Sequence, residues 1–318
     1  MICIALVIAA AIAVALRPPS PSDVLDYRIT SDEAKRVAKA ALGRRAESFA
    51  YVIAAPVEGF RSWDVESPRE DGGSAGGFDD IAATWLVRGG MRVEKLLAIF
   101  RTRIEAGTWT VRFFTPLEKE EIYVEVDPRT SRMVGFHKYQ DEAAPARSLS
   151  REEALARARA AFAFFQLSPD AFELKEALSF QQPRRRDWLF HFDEKTPLAP
   201  AAHRRVSVRV AGAEVTQFHK TIKVPDSVYR EAETQTLLNV VLFVLKIAGL
   251  VAILSLVIAG LVLASRAHGL PWKRALRWSL VLSVIPVASF AARSESVLFG
   301  YSTAMAWETF RVGIVTAF

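Results

Sequence analysis

Five histidines, one cysteine and a few adjacent acid pairs are the side chains with which this 318-residue chain would have to do chemistry. Metal-activated hydrolysis needs imidazoles, thiolates or carboxylates converging on one shielded point, so ligand spacing is the informative quantity. His137, His191, His203, His219 and His268 show no such spacing, and there is no HExxH pair. Cys3 lies in an apolar run, which excludes an internal disulfide, a zinc-thiolate cluster and a CxxC redox pair. Nucleophile-elbow GxSxG, Walker-type and GxGxxG patterns are also missing. The expectation is no catalytic, cofactor-binding or metal-ligating residue in this chain.

The remaining reactive types read as structure. Glu152 and Glu153 follow Ser150 in a capping-box pattern, where Glu153 reaches back to the start of a helix and the acids complement its dipole. Arg184, Arg185 and Arg186 are expected in a solvated turn, with lipid head groups as the alternative contact. His137 and His219 recur in matching tripeptides, which points to a repeated structural role or a pH-sensitive surface rather than to two metal ligands.

What must position these residues is partly apolar. Hydrophobic residues make up 51% of the chain and its mean hydropathy is +0.16, too high for an ordinary soluble protein. The first 236 residues carry 34 basic and 33 acidic side chains, the last 82 carry 7 and 2. A nucleic-acid binder would place its basic surplus on the folded region, so nucleic acid is disfavoured as a partner. Residues 1–16 form an apolar run ended by Arg17 and a Pro-rich step, expected to be an uncleaved membrane anchor or, alternatively, a signal helix. Residues 237–264 contain Lys246 as their one charge and read as a membrane-spanning helix, with Lys246 snorkelling or facing a neighbouring helix. The basic loop 265–275 is then cytoplasmic by the positive-inside rule, and 276–292 returns the chain outward. Residues 293–318 read as an extracytoplasmic loop and the start of an incomplete membrane helix, as in an N-terminal piece of a longer protein. The bilayer is therefore an expected partner and residues 17–236 are expected outside it, in a bacterium on the periplasmic side.

That outer region repeats itself. Thr30-Ser-Asp-Glu33 and Ser150-Arg-Glu-Glu153 open two Ala-rich helices, with stripes at Val37, Ala38, Ala41 and Leu42 and at Leu155, Ala158, Phe162 and Phe165. Each is followed by a Trp-led strand, Trp109–Phe114 and Trp188–Phe192, and then by a hairpin. The hairpins are 122–126 with 133–139, turning at Asp127-Pro128, and 206–210 with 215–224, turning at Gly212. They close on Phe136-His137-Lys138 and Phe218-His219-Lys220. Helix starts lie 120 positions apart but the tripeptides only 82, so the first copy holds about 40 extra residues before its Trp strand, including a Gly-rich loop at 68–77. The fold class expected is α+β: two helix-plus-antiparallel-sheet repeats, 17–145 and 146–236, between an N-terminal anchor helix and C-terminal transmembrane helices.

The helix-then-hairpin units resemble PepSY-like modules. A tandem pair ahead of a membrane helix resembles the N-terminal half of bacterial CPBP-family (CAAX protease and Abi-type) intramembrane metalloproteases. The likeness is carried by WTVRFFTPLEKEE at 109–121 and RRVSVRVAGAEVTQFHKTIKVPDSVYR at 204–230, and it covers most of 22–310 without a catalytic domain. In that family the resemblance implies a Glu-Glu-x-x-x-Arg motif, a Phe-x-x-x-His motif and a further histidine on membrane helices. Glu152-Glu153-Ala-Leu-Ala-Arg157 matches the first as a string, but its capping position rejects it, and no histidine here has Phe four places earlier. The function expected is a membrane-anchored extracytoplasmic sensing, regulatory or substrate-presenting region, its zinc-type site in a missing catalytic part and its own C-terminal membrane domain as partner. The alternative is a non-enzymatic membrane-anchored protein that holds a peptide or an envelope protein on exposed sheet edges or between repeats.

Overall fold

The computed structural model describes residues 26–57, 80–105, 107–233 and 295–316 continuously, and scattered positions between 241 and 284. The chain divides into two compact units, Met1–Pro225 with Glu295–Phe318, and Asp226–Ser294. The sheet and both of its faces belong to the first unit.

The elements of this unit come in two like series. Helix α1 (Ser31–Leu42) precedes strand β1 (Tyr51–Val57), helices α2 (Asp80–Arg88) and α3 (Val93–Ile99), and strands β2 (Thr108–Phe114), β3 (Glu121–Asp127) and β4 (Arg132–Tyr139). Helix α4 (Arg151–Phe164) precedes β5 (Phe172–Gln181), β6 (Arg186–Glu194), β7 (His203–Ala211) and β8 (Glu214–Lys223). The second unit contributes helix α5, Asp226–Glu233, and a last helix of the first unit, α6, covers Trp307–Thr316.

Local chemistry sets the two capped helices. The Thr30 hydroxyl accepts the Glu33 N–H at 3.3 Å. Around Ser150 the box is complete, with the Glu153 N–H on the hydroxyl at 3.2 Å and the Ser150 N–H on the Glu153 carboxylate at 2.9 Å. Ala34 and Ala38 in α1, and Ala154, Ala158 and Phe162 in α4, are fully buried at helical spacing. The buried stripe of α1 is shifted from the one expected: Ala34 is inside and Ala41 is exposed. Two tryptophans then fasten strand to helix in the same way. Trp109 Nε1 donates to the Ile29 carbonyl at 3.0 Å and Trp188 Nε1 to the Leu149 carbonyl at 3.1 Å, each one residue before the capping hydroxyl.

The expected pair of separate repeat sheets is not what forms. All eight strands make one antiparallel sheet in the order β1-β2-β3-β4-β8-β7-β6-β5. The reason lies at the two final strands. Left apart, β4 and β8 would each present a row of unpaired backbone donors and acceptors, and pairing them to each other removes both edges. The seam registers Phe136 with Phe218 and His137 with Gln217, so the recurring tripeptides meet about a local two-fold axis. As for the membrane, no helix among the described residues is long and apolar enough to cross one. The longest continuously described helix, α4, has 14 residues, or about 21 Å, against a hydrocarbon core of about 30 Å. The run 1–16 and the Gly-rich loop 68–77 lie outside the described residues, as does most of 237–292, including Lys246 and His268.

One sheet face is apolar and carries the helices. Helix α1 covers Val111, Phe113, Ile122, Val124 and Val126, and α4 covers Phe190, Phe192, Val206, Val208 and Phe218. Phe165, just past α4, stacks on Phe218 at 4.0 Å between centroids and on Phe136 at 6.2 Å, so one ring spans the seam. Ion pairs reinforce the junction: Glu214 of β8 takes Lys138 at 2.7 Å and Arg45 at 2.5 Å. Burial pushes the Glu214 carboxyl up, but these two cations outweigh it and hold it below its ordinary value. Truncating Phe165 to Ala is expected to destabilise the unit by about 2 kcal/mol, less than for a fully buried ring, read as a lower denaturant midpoint at unchanged slope.

Candidate functional site

The other sheet face carries two sets of polar side chains. In the first copy, Arg112 stands on β2 where the strand alternation gives an inward position, among Ile53, Ala55, Phe114 and Tyr123. Its guanidinium is 4% exposed and is the centre of a clamp on the chain beyond residue 294. Nε donates to Glu121 at 2.7 Å, and Nη1 donates to the carbonyls of Phe299 and Tyr301 at 2.9 and 2.5 Å. Glu121 completes the clamp by accepting the Tyr123 hydroxyl at 2.7 Å and the Thr303 hydroxyl at 2.8 Å. The Phe114, Tyr123 and Tyr301 rings lie 4.6, 5.6 and 5.9 Å from the Arg112 carbon, so its charge is met by a carboxylate, carbonyls and aromatic faces. Trp307 packs on Tyr51 at 4.8 Å, Lys35 bonds Glu295 at 2.8 Å, and the Leu117 N–H donates to the Thr303 carbonyl at 2.9 Å. Residues 295–310 are thereby fixed to the sheet along their length.

In the second copy and across the seam, a row of polar side chains shares the same face. Register places Glu176 beside His191, His191 beside Ser207, and Ser207 beside His219. His191 Nδ1 and the Ser207 hydroxyl are 2.8 Å apart. Burial, with Arg205 adding to it, pushes His191 down to about 4, so the ring is neutral at pH 7. Next in the row, His219 Nδ1 lies 3.6 Å from Glu125, which reaches it from β3. Arg205 is held by Asp193 at 2.6 and 3.0 Å, and Arg209 lies over the Phe180 ring at 5.2 Å.

A hydroxyl beside a neutral imidazole is formally a nucleophile with a base. Ser207, however, is 7% exposed in the middle of β7, between two paired strands, where a substrate has little access to its hydroxyl. The row reads as a hydrogen-bonded polar stripe in a sheet. No group of three or more metal-ligating side chains exists among the described residues.

The structure also places the other residues singled out by sequence. Glu153 caps α4 and Glu152 stands beside it in the first turn, both at the surface. His203 Nδ1 contacts the Glu194 carbonyl at 2.9 Å, apart from the row. Arg185 corrects the expectation of a solvated basic turn: it is 3% exposed, donates to Asp187 at 2.9 Å and to the carbonyls of Asp141 and Ala144 at 2.7 and 2.8 Å, and so ties the linker between repeats to β6. The outer strands are poorly suited to adding a peptide strand. In the described sheet β1 contains Pro56, and β5 carries a bulge beside Leu174 with Glu173, Lys175 and Glu176 exposed.

Arg112, Glu121 and Glu125 are absent from the sequence-based candidates. The available signal was a charged residue at an apolar step of the strand Trp109-Thr-Val-Arg-Phe-Phe114, and its partner segment lies some 190 positions further on. Comparison with protein-family models, curated proteins and solved structures finds no match.

Replacing Arg112 with Ala is expected to cost about 3 kcal/mol, because it strands the buried Glu121 carboxylate, and to free Trp307, seen as a red shift of its fluorescence. His191 gives a pH prediction. Its folded value of about 4 lies below the ordinary 6.5, so the unfolded chain binds the proton more readily and stability is lost as pH falls from 6.5 toward 4. His191→Asn is expected to remove that part of the acid slope in chemical unfolding at pH 7, 6 and 5.

Proposed function

We propose that residues 17–236 are the extracytoplasmic sensing, inhibitory or substrate-presenting region of a membrane-anchored bacterial protein of the CPBP intramembrane metalloprotease kind. Proteolysis, and the zinc-type site it needs, belong in this reading to a membrane part outside the chain. The location is the inner membrane, with the lipid bilayer and that membrane part as partners.

What supports the reading is the Arg112 clamp. It holds residues 295–310, directly after the apolar run 276–292, on the same sheet that the first 225 residues build. A domain that only floated on a tether would have no need to grip the chain on the far side of an apolar run. A domain that reports to a membrane part does, because strain in the sheet then passes into the gripped segment through two carbonyls and a carboxylate.

Two measurements test this. A single cysteine placed at the exposed Arg132, in a chain with Cys3 replaced, is expected to react with a membrane-impermeant maleimide in intact spheroplasts. Labelling only after lysis would put the sheet in the cytosol and end the proposal. The reading frame beyond codon 318 is expected to encode a Glu-Glu-x-x-x-Arg helix and later histidine motifs, and a frame without them removes the protease class.

A further inference from the structure

The contact between Glu125 and His219 is built rather than incidental. Glu125 stands on β3, His219 on β8, and β4 runs between them. The carboxylate crosses that strand above Gly135, its own register partner. A Cβ at Gly135 would overlap Glu125 Oε2, so only glycine leaves the passage open. The contact therefore joins the two repeats across the seam. The seam is the shortest ladder in the sheet, with two registered pairs against six to nine elsewhere. At the equivalent places in the second copy stand Arg209 and Gln217, so the contact between acid and histidine belongs to one side of the seam alone.

From this geometry we infer that the seam is a proton-responsive joint between the repeats. A proton on His219 makes its contact with Glu125 an ion pair across β4 and tightens β4 against β8. The groups facing His219 among the described residues are Glu125 from β3, Gly135 and diagonally His137 from β4, and Ser207 with diagonal Arg205 and Arg209 from β7. Of these Glu125 is the one acid. Arg205 is paired with Asp193 and Arg209 lies over Phe180, while the Glu125 carboxylate lies 3.6 Å from the His219 ring. His191 is not the sensor, because burial keeps it neutral until about pH 4. The joint goes beyond the membrane reading and is independent of any membrane part past Phe318.

Hydrogen exchange of β4 and β8 amides in the full chain tests the joint at pH 7.5 and 5.5, the interval in which histidines ordinarily gain a proton. After correction for intrinsic exchange, protection at the seam is expected to rise about threefold at the lower pH, the size of a weak to moderate ion pair. The readout has to be local, because His191 gives global stability the opposite slope. Glu125→Gln is expected to abolish the rise, and His191→Asn to preserve it. Gly135→Ala, if it folds, is expected to act like Glu125→Gln by displacing the carboxylate. Seam protection that does not change with pH in the parent chain, or that rises equally in Glu125→Gln, overturns the inference.

Discussion

The structure depends on one edge-to-edge junction, the antiparallel pairing of β4 with β8. Each repeat alone has four antiparallel strands with one capped helix packed on one face, and it ends in a strand whose outer backbone groups need partners. Joining the last strands satisfies both rows at once and lays α1 and α4 on the same side, so the two apolar cores become neighbours on one continuous sheet. With two registered pairs, the backbone ladder is too short to hold this alone. Side chains make up the difference: the Phe165 ring between Phe136 and Phe218, Glu214 between Lys138 and Arg45, and Lys220 with Glu105. Most of these contacts are polar or aromatic and directional, which favours a defined angle between the repeats over a merely sticky one.

The second constraint is the buried Arg112. A guanidinium that loses its water must find its hydrogen bonds within the protein, and Arg112 does so by taking one carboxylate and two backbone carbonyls. Glu121 serves both the sheet and the segment, since Tyr123 and Thr303 donate to it from either side. Without residues 299–303 the pair would keep each other but lose three of their hydrogen bonds, and a ring of aromatic surface around them would open to water. Segment and sheet are therefore parts of one fold, although about 70 residues of the other unit separate them in sequence.

Much of the local structure was legible in the sequence and little of its assembly. The capping boxes, the tryptophan strands and both hairpins show themselves through residue type and spacing, because each is decided within a few positions. Strands β1 and β5 were missed, although Phe172-Glu-Leu-Lys at the start of β5 alternates as a half-buried strand should. Tyr51–Val57 reads as a plain apolar run, which periodicity does not assign. The apolar length of a run also does not say whether two repeats will keep separate sheets, since that choice rests on unpaired backbone edges that every sequence shares. Arg185 shows the same limit. Its triplet looks solvated by composition, and only the linker carbonyls at Asp141 and Ala144 make the middle arginine a core residue.

By register, Arg112, Tyr123 and His137 in the first repeat occupy the places of His191, Ser207 and His219 in the second. Both copies thus set three polar groups in line across the face opposite the helices, an arrangement that a simple two-layer core would fill with apolar side chains. In the first copy the line carries a permanent charge, and it grips a returning segment through carbonyls. In the second it carries smaller groups, two of them imidazoles joined through Ser207 by register. Duplication supplied the scaffold twice, and the substitutions along one line gave one copy a guanidinium that anchors a segment and the other a hydrogen-bonded His191–Ser207 pair. The single side chain that passes between them, Glu125, belongs to the first copy and meets the second.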